Sequence, residues 1–346
     1  QCPFMYCCEK KIKIKPEKTA QIRLNDVGNF IHRVLERFFG EISAERIASG
    51  ELTREEMCDY ADGIIGEYVD SLAEAGGKKR GEYDGRLKYL FMRLSRYVIV
   101  FIEAMVNELS QSKFVPTAFE LPIGIPSPEK ESVAPLTFET DDGCTVALRG
   151  KADRVDVYDA PDGKRYIRIV DYKTGQKEFS LDKISRGIDV QLLIYLFSLW
   201  KFGLPDSDAR EIVPAGAVYF STRPKVGNVA SITAGDENRE KMVESVTRSG
   251  VLLDDENILR AMEEKLEGRF IPVKEKDGVI VSDDKHLFLE TAEDFGELYT
   301  LLGDTLGKIA DEMREGAAEA KPDRTVTSND LCGYCDYAYI CKKAGK

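Results

Sequence analysis

The sequence predicts an α/β domain, a mixed central sheet flanked by helices, and three observations predict it. Residues 25–109 repeat apolar side chains at three- and four-residue spacing. Residues 116–172 switch to β-forming residues punctuated by turn residues. A helical stretch and then one more strand follow.

The elements run in order. Phe30, Val34, Leu35 and Phe38 form one apolar stripe, and Leu90, Leu94, Tyr97, Val98 and Phe101 another. Gly76, Gly77 and Gly81 break the two apart as an interhelical loop. Beyond Pro116, strands are expected at Phe119–Ile125, Leu136–Glu139, Thr145–Tyr158 and Tyr166–Tyr172. Between the last two, Asp159-Ala-Pro-Asp-Gly-Lys164 is a hairpin turn, since Asp-Gly supplies the positive φ that a tight turn requires. A helix over Ser185–Lys201 and a strand over Ala215–Ser221 come next. The remainder reads as helical and acidic to Met313, and a loop over Lys321–Asn329 delivers the last cysteines. The expectation is one domain, 1–346: a helical N-terminal arm (1–115), an α/β core (116–225) and a helical C-terminal arm (226–346).

Composition narrows the function. With 43% hydrophobic and 32% charged residues over 346 positions, a packed core is expected and disorder is not. No apolar run approaches the roughly 20 residues of a membrane helix. The nearest, Tyr97–Val106, is short and follows Arg93 and Arg96. Without a leader segment, a cytoplasmic protein is expected. The net charge of −12 argues against a protein that coats nucleic acid. It leaves room for a local basic channel around an acidic, metal-binding centre. Lysines do cluster, at Lys10, Lys11, Lys13, Lys15 and Lys18 and again at Lys342, Lys343 and Lys346, and a solvated face explains them equally well. No Gly-x4-Gly-Lys-Ser/Thr loop cradles a nucleotide triphosphate.

The chemistry concentrates in Gly150-Lys-Ala-Asp153-Arg-Val-Asp156, the hairpin turn, and Val170-Asp171-Tyr172-Lys173-Thr-Gly175. Residues two apart on a strand point the same way, so Asp171 and Lys173 share a face. Folding the hairpin about 161–163 sets Asp153 opposite a residue between Val170 and Tyr172. Two carboxylates and an ammonium then converge. Such hard oxygen ligands suit Mg²⁺ or Mn²⁺. A bound cation can activate water, and the lysine can orient it or offset developing charge. A solvated Asp171–Lys173 salt bridge is the plainer reading of that tripeptide alone. The apolar lead-in of Ile167, Ile169 and Val170 speaks against it, because charges ending a buried strand need partners.

These motifs, with Gln191-x3-Tyr195 downstream, resemble the RecB-type branch of the PD-(D/E)xK nuclease superfamily. Gly28-Asn-Phe-Ile-His32, which leads to Glu36, resembles the Gly-x3-His helix of the same branch. The resemblance implies a metal-dependent DNA phosphodiesterase. Asp153 and Asp171 would bind the metal, with His32 and the Tyr172 carbonyl as further ligands, and Lys173 would position the water. Gln191 and Tyr195 would contact the DNA backbone or brace the site. Glu120, in Phe119-Glu-Leu-Pro, resembles an acidic position of the family ahead of the core strands.

The eight cysteines sit mostly at the ends: Cys2, Cys7 and Cys8, then Cys332, Cys335 and Cys341, with only Cys58 and Cys144 between, where they read as core residues. Cys332-x2-Cys335-x5-Cys341 with Cys2 resembles the [4Fe–4S] staple of AddB-type helicase–nuclease subunits. The same four thiolates would equally satisfy zinc, and Cys7 and Cys8 depart from that family's pattern. The resemblance implies a C-terminal nuclease domain whose helicase-like region would precede Gln1. It further implies single-stranded DNA as substrate, a helicase–nuclease partner, and a role in double-strand-break repair and recombination. A standalone cluster-containing exonuclease of the CRISPR-adaptation type is one alternative. A silent DNA-binding scaffold is another, against which intact Asp153, Asp171 and Lys173 argue.

Overall fold

A computed structural model describes residues 2–15, 24–75, 77, 79, 85–128, 130–140, 142–173, 177–205, 210–221, 240, 242–243, 246–282, 284–322, 332 and 335–341. Lys18, Gly76, Gly81, Thr174, Gly175, positions 323–329, and Lys342, Lys343 and Lys346 lie outside them.

Helices open the chain: α1 (Pro3–Tyr6), running into a π-helical turn over Cys7–Lys11, then α2 (Leu24–Glu41), α3 (Ala44–Ala48), α4 (Arg54–Ala75) and α5 (Gly85–Leu109). They pack as the stripes foretold, with Phe30, Val34, Leu35, Phe38, Val98 and Phe101 all buried. The strands follow: β1 (Val115–Ile123), β2 (Leu136–Glu139), β3 (Thr145–Leu148), β4 (Gly150–Asp159) and β5 (Arg165–Lys173). Next come α6 (Leu181–Ile184), α7 (Gln191–Phe202), β6 (Ile212–Ser221), β7 (Arg248–Leu253) and α8 (Glu256–Met262). Strands β8 (Val273–Lys276), β9 (Val279–Ser282) and β10 (Leu287–Glu290), helix α9 (Ala292–Arg314) and a 3₁₀ turn at Ala338–Ile340 complete the described elements.

Six strands form the central sheet in the order β1-β4-β5-β6-β7-β10. The pairs β5/β6 and β7/β10 are parallel and the others antiparallel, so the sheet is mixed as expected. Helix α7 lies in the connection that parallel β5 and β6 require. Helix α5 is tied to the sheet by a buried ionic network. Glu108 meets Arg168 at 2.8 Å and Arg248 at 2.5 Å, and Arg168 reaches Asp156 at 2.8 Å. Asp156 also pairs with Arg154 at 2.8 Å. Breaking a buried pair of this kind costs about 3–5 kcal/mol, because it strands the remaining charge.

Several expectations change in detail. The β4–β5 turn uses left-handed backbone at Gly163 (φ 84°) and not at Asp162, so a single glycine supplies the reversal. The strand expected over Thr145–Tyr158 breaks at Arg149: β3 pairs with β2 in a small separate sheet, and only β4 joins the main one. The helix expected from Ser185 begins at Gln191, since Gly187 (φ 69°) and Asp189 (φ 60°) are left-handed and cannot continue α6. The stretch from 226 onward, expected as a helical arm, carries β7 to β10, and two of these extend the main sheet. Those strands span only four to six residues each, too short for a period to stand out against the acidic background. Among the described residues, no helix is long and apolar enough to cross a membrane.

Candidate active site

The site grows from one row of the sheet. Arg154 pairs with Val170 across β4 and β5, and one more step of that register sets Asp153 opposite Asp171. Asp171 in turn pairs with Tyr219 of β6, and Tyr219 with Ser249 of β7. On the other side, Glu120 falls between the pairs Phe119–Arg154 and Leu121–Ala152, opposite Asp153. Its backbone is left-handed (φ 49°), an uncommon conformation for a non-glycine residue and one that gathers at functional sites.

Helix α2 delivers His32 to the end of this row. Its Nδ1 lies 3.4 Å from both Glu120 Oε1 and Asp153 Oδ1, and its Nε2 donates to the Tyr172 carbonyl at 3.0 Å. Burial disfavours the charged ring, but the hydrogen bonds to Asp153 and Glu120 outweigh it and push the His32 pKa up to about 10. Ligand atoms of His32, Glu120 and Asp153 all lie within 4.8 Å of one another. Tyr172 is the pivot of the arrangement. Its backbone N–H donates to Asp153 Oδ2 at 2.8 Å, and its ring stands edge-on to His32.

Asp171 is fully buried. Lys173 Nζ lies 2.5 Å from its Oδ2, yet neither carboxylate oxygen has a well-directed hydrogen-bond partner among the described residues. Burial and the facing Asp153 raise its pKa well above the usual carboxylate range, and Lys173 opposes them only in part. A buried carboxylate left this way beside a second one fits a hard divalent cation. His32, Glu120 and Asp153 are the groups whose ligand atoms lie close enough together to hold one.

Gln191 and Tyr195 take an inward role. The Tyr195 hydroxyl accepts from the Lys151 backbone N–H and from Gln191 Nε2, both at 3.1 Å. A Cβ at Gly150 would come within 2.4 Å of that hydroxyl, so the glycine of the first motif is the seat of the tyrosine of the last. The sequence did not disclose this link. Nor did it single out Lys151, whose Nζ lies 3.2 Å from Glu120 Oε2. The second histidine, His286, pairs with Glu178 and takes no part in this site.

The terminal cysteines also gather. Cys8 is buried, and its thiol pKa is raised first by burial and then by Cys7, Cys335, Cys341 and Cys2 around it. Phe4 N–H donates to the Glu319 carbonyl and the Tyr337 hydroxyl to that of Ile14, both at 3.1 Å, which joins the two ends. The Cys335 N–H donates to the Cys332 carbonyl at 3.2 Å, which holds two of the motif's cysteines near each other.

Comparison with known families decides the identity: residues 1–342 match the PD-(D/E)XK nuclease superfamily. The chain belongs to that superfamily. In this chain Asp153 and Asp171 face each other across β4 and β5, and Lys173 pairs with Asp171. Among curated proteins it is similar to an ATP-dependent helicase/deoxyribonuclease subunit of Clostridium tetani, with 30% identity over 346 residues. The subunits of the same name from Clostridium novyi (30% over 345 residues) and Ruminiclostridium cellulolyticum (27% over 347) are comparably similar. In each case 99% of this chain is covered, and it spans 29% of the relative's length.

Proposed function

We propose that this module hydrolyses DNA phosphodiester bonds with Mg²⁺ or Mn²⁺ held at Asp153 and Asp171, with His32, Glu120 and the Tyr172 carbonyl beside them. The observation that carries the reading is Asp171, a fully buried carboxylate that faces a second carboxylate, Asp153, and pairs with Lys173. When bound, the cation supplies Lewis acidity toward the phosphate and lowers the pKa of a water. The chain's own groups do the rest. Lys173 orients the attacking water and offsets charge that develops on the phosphoryl oxygens. His32 fixes Glu120 and Asp153 relative to the Tyr172 carbonyl. Gln191 and Tyr195 brace the start of β4 and so keep Asp153 in register.

The similarity to proteins named as helicase/deoxyribonuclease subunits supports a wider assignment. The module would be the nuclease domain of such a protein, acting in the cytoplasm on single-stranded DNA fed by a helicase partner during double-strand-break repair and recombination. Cys2, Cys332, Cys335 and Cys341 would hold a [4Fe–4S] cluster stapling the ends, a reading supported by the hydrogen bonds that join those ends, from Phe4 to Glu319 and from Tyr337 to Ile14.

Cleavage of end-labelled single- and double-stranded DNA tests the reading. Degradation of the single strand with Mg²⁺, its loss in chelator and its return with added Mg²⁺ or Mn²⁺ are expected. Cleavage that persists in chelator, or DNA binding without any cleavage, would refute it.

A further inference from the structure

Beyond Lys173, a second basic cluster is built onto the same row of the sheet. Lys177 Nζ lies 2.5 Å from Asp189 Oδ1, and Lys183 Nζ 3.7 Å from Asp189 Oδ2. Two ammonium groups share one carboxylate, so the cluster carries an unbalanced positive charge in a chain whose net charge is −12. Both of its ends are anchored to the row that holds Asp153 and Asp171. Tyr219 donates its hydroxyl to the Asp189 carbonyl at 3.1 Å, and Ser249 donates its own to the Lys177 carbonyl at 2.7 Å. Lys173 Nζ and Lys177 Nζ lie 5.7 Å and 6.0 Å from the centroid of the same buried Tyr219 ring. Asp189 adopts left-handed backbone two residues before Gln191, a conformation that aspartate tolerates better than most side chains.

We propose that Lys177, held by Asp189 and backed by Lys183, binds the phosphate next to the scissile one on the DNA strand. It would act as a backbone subsite that keeps the strand in line with Lys173. The inference rests on the nuclease reading. An ammonium has three donor hydrogens, so an ion pair with Asp189 leaves Lys177 able to bind a phosphate oxygen as well. Its side chain is 32% exposed, which leaves the strand a way in. A purely structural ion pair would not need the second lysine.

Opposite charge changes separate the two roles. The full chain is titrated with a fluorescent single-stranded 20-mer over a range of salt in chelator, where the strand stays intact, beside single-turnover cleavage with Mg²⁺. Lys177→Ala should weaken binding about fivefold and flatten the salt dependence by about 0.7 in log–log slope, as for one lost contact to a single strand. Its cleavage defect should fall in KM and not in kcat, and Lys177→Arg should restore affinity. Asp189→Asn keeps a residue that tolerates left-handed backbone while removing the competing anion, so it should tighten binding. A structural pair predicts instead that both variants lose thermal stability and weaken DNA binding alike. That result would overturn the proposal. If Lys177→Ala fails to fold, Lys177→Gln and Asp189→Asn carry the same comparison. A parent that cleaves DNA while every variant binds with parental affinity and slope sinks the subsite alone. A parent that cleaves nothing sinks the nuclease reading and the subsite with it.

Discussion

Replacing Gly150 by alanine tests the link between the first and last motifs. The added methyl would stand 2.4 Å from Tyr195 Oη, 2.5 Å from Cε1 and 2.8 Å from Cζ. Ordinary carbon contacts are about 3.5–4.0 Å, so the ring must retreat by about 1 Å. Tyr195 is only 6% exposed and has little room to do so. Overpacking of this kind costs about 1–3 kcal/mol. Displacing the hydroxyl also weakens the hydrogen bonds from the Lys151 N–H and the half-buried Gln191 amide, at about 1 kcal/mol in all because water can replace the lost acceptor. A loss of about 2–4 kcal/mol in equilibrium urea denaturation is therefore expected, with slower cleavage as β4 shifts under Asp153. Tyr195→Ala by itself should cost about 3–5 kcal/mol, as for other buried aromatic rings. Once the ring is gone, Gly150→Ala should turn neutral, or stabilise by about 0.4–1 kcal/mol, because the backbone at 150 is not left-handed. The two changes should thus be strongly non-additive. If Gly150→Ala lies within about 0.5 kcal/mol of the parent, or the two effects simply add, the reasoning fails.

The remaining predictions concern charge and metal. Glu108 is fully buried; burial raises its pKa, but Arg248, Arg168 and Arg154 pull it down to about 2. A carboxylate with a depressed folded pKa stabilises fully above its unfolded value and ceases to as pH falls through the folded one. The parent should therefore lose about 3 kcal/mol between about pH 5 and pH 2 that Glu108→Gln does not lose, read from urea curves across that window. Parallel acid curves for the two proteins would contradict it. Asp171→Asn should raise the melting temperature in chelator by relieving repulsion with Asp153, yet abolish the rise that Mg²⁺ confers on the parent. Lys173→Ala should instead keep Mg²⁺ affinity by calorimetry and slow single-turnover cleavage by orders of magnitude; cleavage at the parental rate would remove Asp-x-Lys from the chemistry. Finally, anaerobically purified protein should be brown, with iron and acid-labile sulfide near four per chain, and Cys335→Ala should bleach it and loosen both ends. A colourless protein holding one zinc would overturn the cluster while sparing the nuclease.

Much of the site was legible in the chain because its chemistry is local. Asp171 and Lys173 share a strand, the Asp-Gly turn folds Asp153 back toward them, and Gln191 and Tyr195 are one helical turn apart. Period-two and period-3.6 rules suffice for such neighbours. Glu120 was visible only by resemblance, because a lone glutamate in a strand carries no pattern. Its left-handed backbone, which turns it toward His32, is a product of packing.

By itself, then, the sequence determined the mixed α/β class, the helical lead-in, the β4–β5 hairpin and the convergence of Asp153, Asp171 and Lys173. Tertiary structure alone decided that β7 and β10 complete the sheet, that β3 leaves it at Arg149, and that His32 bridges Glu120, Asp153 and Tyr172. It also decided that Tyr195 sits on Gly150 and that Lys177 reaches the same tyrosine ring as Lys173. The division is physical. Backbone periodicity sets which way neighbouring side chains point, whereas contacts between residues 40 to 140 positions apart exist only once buried surfaces have been matched in three dimensions.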